Sequence, residues 1–288
     1  MYNVKNAGNK RYPLDLLRAK IWRDNMRELN EVRKDLDRCD TELLKLLMQR
    51  LGCAAEIMEY KKEHGLPIFL PEEEAVRHDS LLAEIGEHPY CAELLRIFKQ
   101  IREESKCVQS KSLIDHNIAL IGFMGTGKST VSKYLKDVLA MNEVDVDAMI
   151  VEDQKMPIKD IFAQYGEEYF RNCESSAILS LQNCRQTIIS CGGGAVMREE
   201  NVKNLKKGSR IVLLTASPES ILERVKGDGG RPILNGNMNV EFIKELMAKR
   251  KDFYEKAADI IIETDHKSVD RICEELITSL VQFEQRFS

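Results

Sequence analysis

The sequence predicts two domains, an all-α N-terminal domain and a C-terminal α/β domain built on a parallel sheet. Three observations predict this. Apolar residues recur at three- and four-residue steps through the first hundred or so positions, and from about residue 112 short apolar runs alternate with helical patterns. The first of those runs, Asn117-Ile118-Ala119-Leu120-Ile121, leads directly into a glycine-rich loop that ends in Gly-Lys-Ser.

From Met26 to about Lys62 the periodic residues are Leu29, Val32, Leu36, Leu43, Leu47, Leu51, Ala54 and Met58, a single apolar stripe on one helix. Such a helix extends about 50 Å, which is long for a small globule, so its stripe is expected to be covered by a bundle or by a partner chain. His64-Gly65-Leu66-Pro67 ends it, since glycine caps a helix C-terminus and proline cannot continue one. Pro71 suits a first helical turn, with Glu72, Glu73 and Glu74 at the positive end of the helix dipole. A third helix follows His88-Pro89 and carries Leu94, Leu95, Phe98, Ile101 and Val108. After a polar stretch near 109–116, further strands are expected at Val144–Val146, Thr187–Ser190, Arg210–Leu214 and Ile260–Ile262, each separated by a helical pattern.

Bulk properties narrow the function. With 43% hydrophobic and 31% charged residues the chain has the composition of a folded soluble protein, and a net charge of −4 excludes nucleic-acid binding by bulk electrostatics. No run approaches the length of a membrane span, and residues 1–25 have basic residues without the apolar core of a secretory signal. That segment reads as a poorly ordered extension, with Met26 an alternative start. The eight cysteines are scattered without CxxC spacing, which points to reduced thiols and a cytoplasmic location, and the five histidines show no metal-ligand spacing.

GFMGTGKST at 122–130 satisfies the phosphate-binding pattern GxxxxGK[ST] with a strand before it and a helix after it. Backbone N–H groups of Gly125, Thr126 and Gly127 would wrap phosphate oxygens at a helix N-terminus. Lys128 would reach the β- and γ-phosphates, and the Ser129 hydroxyl would ligate Mg²⁺ beside Thr130. Asp145 and Asp147 end a strand on the edge where open α/β sheets bind ligands, one suited to the metal's water shell and one to a substrate hydroxyl. Gly192, Gly193 and Gly194 directly after a strand imply close backbone approach to a ligand. GDGGRP at 227–232 is flexible in composition and bears Arg231, as a closing lid with a phosphate-contacting guanidinium should.

This set, in this order, resembles the shikimate kinase family over roughly residues 116–281: GFMGTGKST, the DVD pair, GEEYFRNCE at 166–174, the glycine triad, the RP-containing lid, and Arg250 ahead of Tyr254 and Ala257. The resemblance implies ATP-dependent phosphorylation of shikimate, with Mg²⁺ held by Ser129 and Asp145. By it, Asp147 contacts the hydroxyl to be phosphorylated, Arg171 and Arg250 hold the substrate carboxylate, and Glu174 orients Arg171. Gly192, Gly193 and Gly194 line the substrate, Arg231 bridges phosphate and substrate, and Arg224 stacks on adenine.

On the long helix, Arg50 and Lys61 are eleven residues apart, which returns to nearly the same face about 16 Å along. Arg33 lies about 25 Å before Arg50, out of reach of one intramolecular pocket but available from an antiparallel partner. Ser105 and Gln109 form an i,i+4 polar pair on the third helix. The pattern over about 26–110 resembles the all-helical chorismate mutase family, whose intertwined dimers donate one arginine across the interface. It implies a homodimer that rearranges chorismate to prephenate without a cofactor, with Arg33 of the partner, Arg50 and Lys61 on the carboxylates and the ether oxygen. Glu74 and Ser105 would contact hydroxyl or carboxylate groups, and Gln109 would donate to the ether oxygen. The family's usual arginine before Glu74 is here Glu73, and a frequent aspartate is Leu70. The expected organisation is thus an extension at 1–25, a mutase-like domain at 26–110 and a kinase-like domain at 111–288. The alternative is a helical domain that senses prephenate, Phe or Tyr and regulates or dimerises the kinase.

Overall fold

A computed structural model describes residues 27–66, 71–225 and 239–287, with backbone alone at 71–75 and 287. The described residues fall into two compact units. One comprises those of Met1–Cys53 and Pro71–Ile101, and the other those of Ala54–Leu70 and Arg102–Ser288.

Among the described residues the first elements are three helices: α1 (Leu29–Glu63), α2 (Pro71–Ile85) and α3 (Cys91–Leu113). The division between units passes through α1 and α3. In the first unit the apolar stripe of α1 stays on the surface of a single chain, with Leu29 62%, Leu36 60% and Leu43 51% exposed. Only Ala54 and Met58, in the second unit, are buried along α1. The polar stretch after Val108 does not break the helix. It remains helical to Leu113, because Ser110 is bonded to the Gln186 side chain (3.3 Å) and Leu113 and Ile114 drop into apolar core.

The second unit holds a five-stranded, all-parallel sheet of order β2-β3-β1-β4-β5. Its strands are β1 (Asn117–Ile121), β2 (Asn142–Asp145), β3 (Thr187–Ser190), β4 (Ser209–Thr215) and β5 (Ile260–Glu263). The helices between and after them are α4 (Lys128–Leu139), α5 (Val146–Gln154), α6 (Ile158–Ser180), α7 (Glu199–Lys206), α8 (Pro218–Val225), α9 (Val240–Ala257) and α10 (Val269–Phe287). The expected strand at Val144–Val146 starts earlier and ends at Asp145. Asp145 caps α5 by accepting from Ala148 N at 3.0 Å, so Val146 is the first residue of a helix.

Strand periodicity distributes the core on both faces. On β1, Ile118 and Leu120 join Val131, Leu135, Ile272 and Leu276 of α4 and α10, along with Met58, Leu113 and Ile114. Ala119 and Ile121 face the opposite layer with Ile161, Phe170, Leu205, Ile221 and Ile243 of α6 to α9. Each fully buried aliphatic side chain contributes about 1.5–3 kcal/mol, which fixes the sheet and therefore the position of its carboxyl edge. The ends of β1, β2 and β3 all open onto that edge, where the chemistry-bearing loops lie.

Candidate active site

The loop after β1 is built by backbone constraint. Gly122 has φ 142° and a Cβ there would meet the Leu214 carbonyl oxygen at 2.3 Å. Gly127, at φ 92°, is the N-cap of α4, a conformation that aims the first amides of the helix at the cleft. Lys128 Nζ donates to the carbonyls of Gly122 (2.9 Å) and Phe123 (3.0 Å), folding over its own loop.

A cleft of about 440 Å³ brings together Gly125, Gly127, Lys128, Ser129 and Thr130 from this loop, Asp145 and Asp147 from the end of β2 and the start of α5, and Arg171 and Glu174 from α6. Gly192, Gly193 and Gly194 after β3, Arg224 of α8 and Arg250 of α9 complete its walls. Thr126 is outside the lining of the cleft. Its side chain is buried and donates to the Phe123 carbonyl at 2.8 Å, so it braces the loop from behind. Arg231 lies outside the described residues.

Arg171 is the most constrained cation of the site. Its Nη1 donates to Glu174 Oε2 at 2.9 Å and its Nη2 to Glu167 Oε1 at 3.0 Å. Burial works against its charge, but Glu174 and Glu167 outweigh that and hold its pKa above the ordinary value. Glu174 is fully buried, and burial raises its carboxyl pKa, with Arg171 opposing and Asp147 adding to the rise. The glycines permit this crowding. A Cβ on Gly192 would sit 2.7 Å from Asp147 Oδ1 and 2.8 Å from Glu174 Oε1, and one on Gly194 would sit 2.3 Å from the Arg171 guanidinium nitrogens.

Three supporting contacts are invisible in sequence spacing because their partners are far apart in the chain. Tyr254 donates its hydroxyl to the Gly193 carbonyl, and burial pushes that phenol up to about 12, so it remains a donor near neutrality. Arg198 ties Asn172 (2.8 Å) and Glu168 (2.5 Å) of α6 to the segment after the glycine triad. Arg224 donates to Thr264 Oγ1 and to the Thr264 carbonyl, both at 2.9 Å, and to the Gly125 carbonyl at 3.3 Å, which joins the phosphate loop to the loop after β5. Glu167, which the sequence did not single out, reaches Arg171 across an i,i+4 spacing.

The helical candidates divide between the units. Arg33, exposed, and Arg50, which donates to the Ile101 carbonyl at 3.2 Å, lie in the first. Lys61, half-buried, Ser105, buried, and Gln109 lie in the second, where the Gln109 amide donates to the Ala54 carbonyl at 3.3 Å. The side chains of Glu73 and Glu74 and residue Leu70 lie outside the described residues. All eight cysteines are free thiols, and among the described residues no helix is long and apolar enough to cross a membrane.

Residues 124–281 match the family model for shikimate kinase, and residues 32–110 match that for chorismate mutase type II. A shikimate kinase of Sulfurihydrogenibium sp. is 42% identical over 164 residues, covering 57% of this chain and 97% of that protein. One of Geobacter sulfurreducens is 44% identical over 162 residues, covering 56% and 89% respectively. The solved shikimate kinase from Acinetobacter baumannii, in complex with shikimate, overlays on 60% of this chain and 97% of its own with a TM-score of 0.57 and 28% identity. The parallel sheet, the phosphate loop and the match over more than half of its length agree: this chain belongs to the shikimate kinase family, and carries in front of that region a segment matching chorismate mutase type II.

Proposed function

We propose that this protein phosphorylates shikimate with ATP and rearranges chorismate to prephenate, serving aromatic biosynthesis at two separate steps. The observation that carries the first activity is one cleft in which a phosphate loop faces an anion-binding guanidinium and a carboxylate across a glycine wall. Arg171, fixed by two carboxylates, and Arg250 hold the substrate carboxylate, which orients the ring. Asp147 then accepts the hydrogen of the hydroxyl to be phosphorylated, raising that oxygen's nucleophilicity toward the γ-phosphorus. Lys128 leaves its loop carbonyls for the β- and γ-phosphate oxygens and stabilises charge there as the transfer proceeds. Arg224 offers a planar face to the adenine, and Arg231 in the lid bridges phosphate and substrate.

The donor set fits Mg²⁺. Ser129 and Asp145 offer hard oxygen ligands in the cleft, and among the described residues no cluster of three or more His, Cys, Asp or Glu side chains could hold a metal by itself. Mg²⁺ is held with few protein ligands, the rest being phosphate and water, and when bound it neutralises phosphate charge.

For the second activity, Arg33 of a partner chain with Arg50, Lys61, Glu74, Ser105 and Gln109 restrain the dianionic substrate, and catalysis needs no cofactor. The exposed stripe of α1 supports a homodimer through the helical region, and the match at 32–110 favours catalysis over a purely regulatory module. The domain limits 26–110 and 111–288 and a cytoplasmic location, consistent with eight free thiols, belong to the same reading. Assaying the purified chain for ADP release with shikimate, and separately for chorismate loss, tests it. Absence of shikimate-dependent ADP release from folded protein would refute the kinase assignment.

A further inference from the structure

Behind the phosphate loop lies a second cavity of about 310 Å³, at the lower end of the range for small-molecule sites. Phe123, Leu213, Pro218, Met247 and Ala248 give it an apolar lining. Lys244 and Lys251 stand on the same face of α9, seven residues apart, with Met247 and Ala248 between them. Lys251 is turned toward Glu255 at 3.7 Å, which leaves Lys244 to supply the positive anchor at the rim.

The cavity is mechanically joined to the catalytic cleft through two of its own lining residues, Phe123 and Tyr254, which contact residues of the cleft. The Phe123 carbonyl accepts from Lys128 and from Thr126, and the Phe123 ring lies 5.8 Å from the Arg250 guanidinium. Tyr254 lines the cavity and donates to the Gly193 carbonyl in the substrate wall. A molecule pressing on Phe123 and Tyr254 therefore displaces the phosphate loop and the glycine triad together.

We propose that this cavity is a regulatory site for a small apolar carboxylate, such as a single-ring acid. Its ring packs on Phe123, Met247 and Ala248 and its carboxylate pairs with Lys244. Occupation lowers the rate of phosphoryl transfer without competing with shikimate or nucleotide. The effect on transfer rests on the kinase reading, whereas the existence of the site does not.

Phenylacetate, titrated calorimetrically into the full chain with shikimate and a non-hydrolysable ATP analogue both saturating, is expected to bind at one saturable site. Lys244→Ala should weaken that binding about tenfold or more, the value of a charge-assisted contact. Ala248→Trp, at an exposed position that fills the cavity, should abolish it. Lys244→Ala should keep the basal kinase rate within about twofold, since Lys244 does not touch the catalytic cleft, whereas Ala248→Trp, by filling the cavity, should lower the basal rate as the bound acid does. Loss of binding on saturating the catalytic cleft, absence of saturable heat up to about 10 mM, or unchanged affinity in both variants would overturn the site. Phenylacetate binding that leaves kcat unchanged would overturn the coupling. Calorimetry requires no turnover, so an inactive kinase and an absent site give different results.

Discussion

Gly192, Gly193 and Gly194 look equivalent in sequence, yet alanine at each should produce a different defect. At Gly194 the backbone has φ −111° and ψ −2°, which alanine adopts readily, so the obstacle is contact alone. The new Cβ would lie 2.3 Å from both terminal nitrogens of Arg171, and that guanidinium cannot yield without loosening its hold on fully buried Glu174. Removing one partner of a buried pair costs about 3–5 kcal/mol, so displacing it should cost ~2 kcal/mol. In a unit of this size that lowers Tm by about 4–8 °C. On the role proposed for Arg171, a misdirected guanidinium also loses a charge-assisted contact to the substrate, which should raise KM for shikimate about ten- to hundredfold. At Gly192 the Cβ would press Asp147 instead, at 2.7 Å, so kcat should fall about a hundredfold. At Gly193 the nearest atom would be 3.6 Å away, ordinary contact, and Tm should stay within about 2 °C of the parent. Steady-state ADP release against shikimate concentration, with calorimetric Tm, checks all three. The reasoning fails if Gly194→Ala leaves KM unchanged, or if Gly193→Ala destabilises as much as Gly194→Ala.

Lys128→Ala and Asp147→Asn should each abolish shikimate phosphorylation while chorismate rearrangement continues; equal loss of both activities in folded protein would contradict two separate sites. Mixing inactive Arg33→Ala and Arg50→Ala chains should restore part of the mutase activity, because a heterodimer rebuilds one pocket with both arginines, and sedimentation showing only monomers at micromolar concentration would refute it. Glu284 accepts from Arg210 Nε at 2.6 Å and ties β4 to α10, and the Arg210 hydrogen bond holds its carboxyl below the usual range. A folded pKa below the unfolded value gives stability that is present above the unfolded pKa and lost as pH falls through the folded one. Glu284→Gln should therefore cost about 1 kcal/mol near neutrality, and urea melts should show that difference shrinking as pH falls below the ordinary glutamate pKa of about 4.3.

By itself the sequence determined the fold class, because buried parallel strands must read as short apolar runs and an exposed helix as a periodic one. It also determined the phosphate loop, since glycine, lysine and serine at those spacings serve little else, and it placed Asp147 and the glycine triad at strand ends, with Arg171 joined to them only through the family resemblance. Local pattern could not place the β2–α5 boundary, where a single capping bond from Asp145 converts Val146 from strand to helix. Nor could it show the polar stretch near 109–116 continuing a helix, a choice made by Gln186 more than seventy residues away. Only the tertiary structure decided that the Thr126 side chain faces away from the cleft, that Tyr254 and Arg198 brace the cleft walls, and that Gly192 makes room for Asp147 and Glu174 and Gly194 for Arg171. Those are contacts between residues distant in the chain, and spacing carries no signal for a distance that packing alone sets.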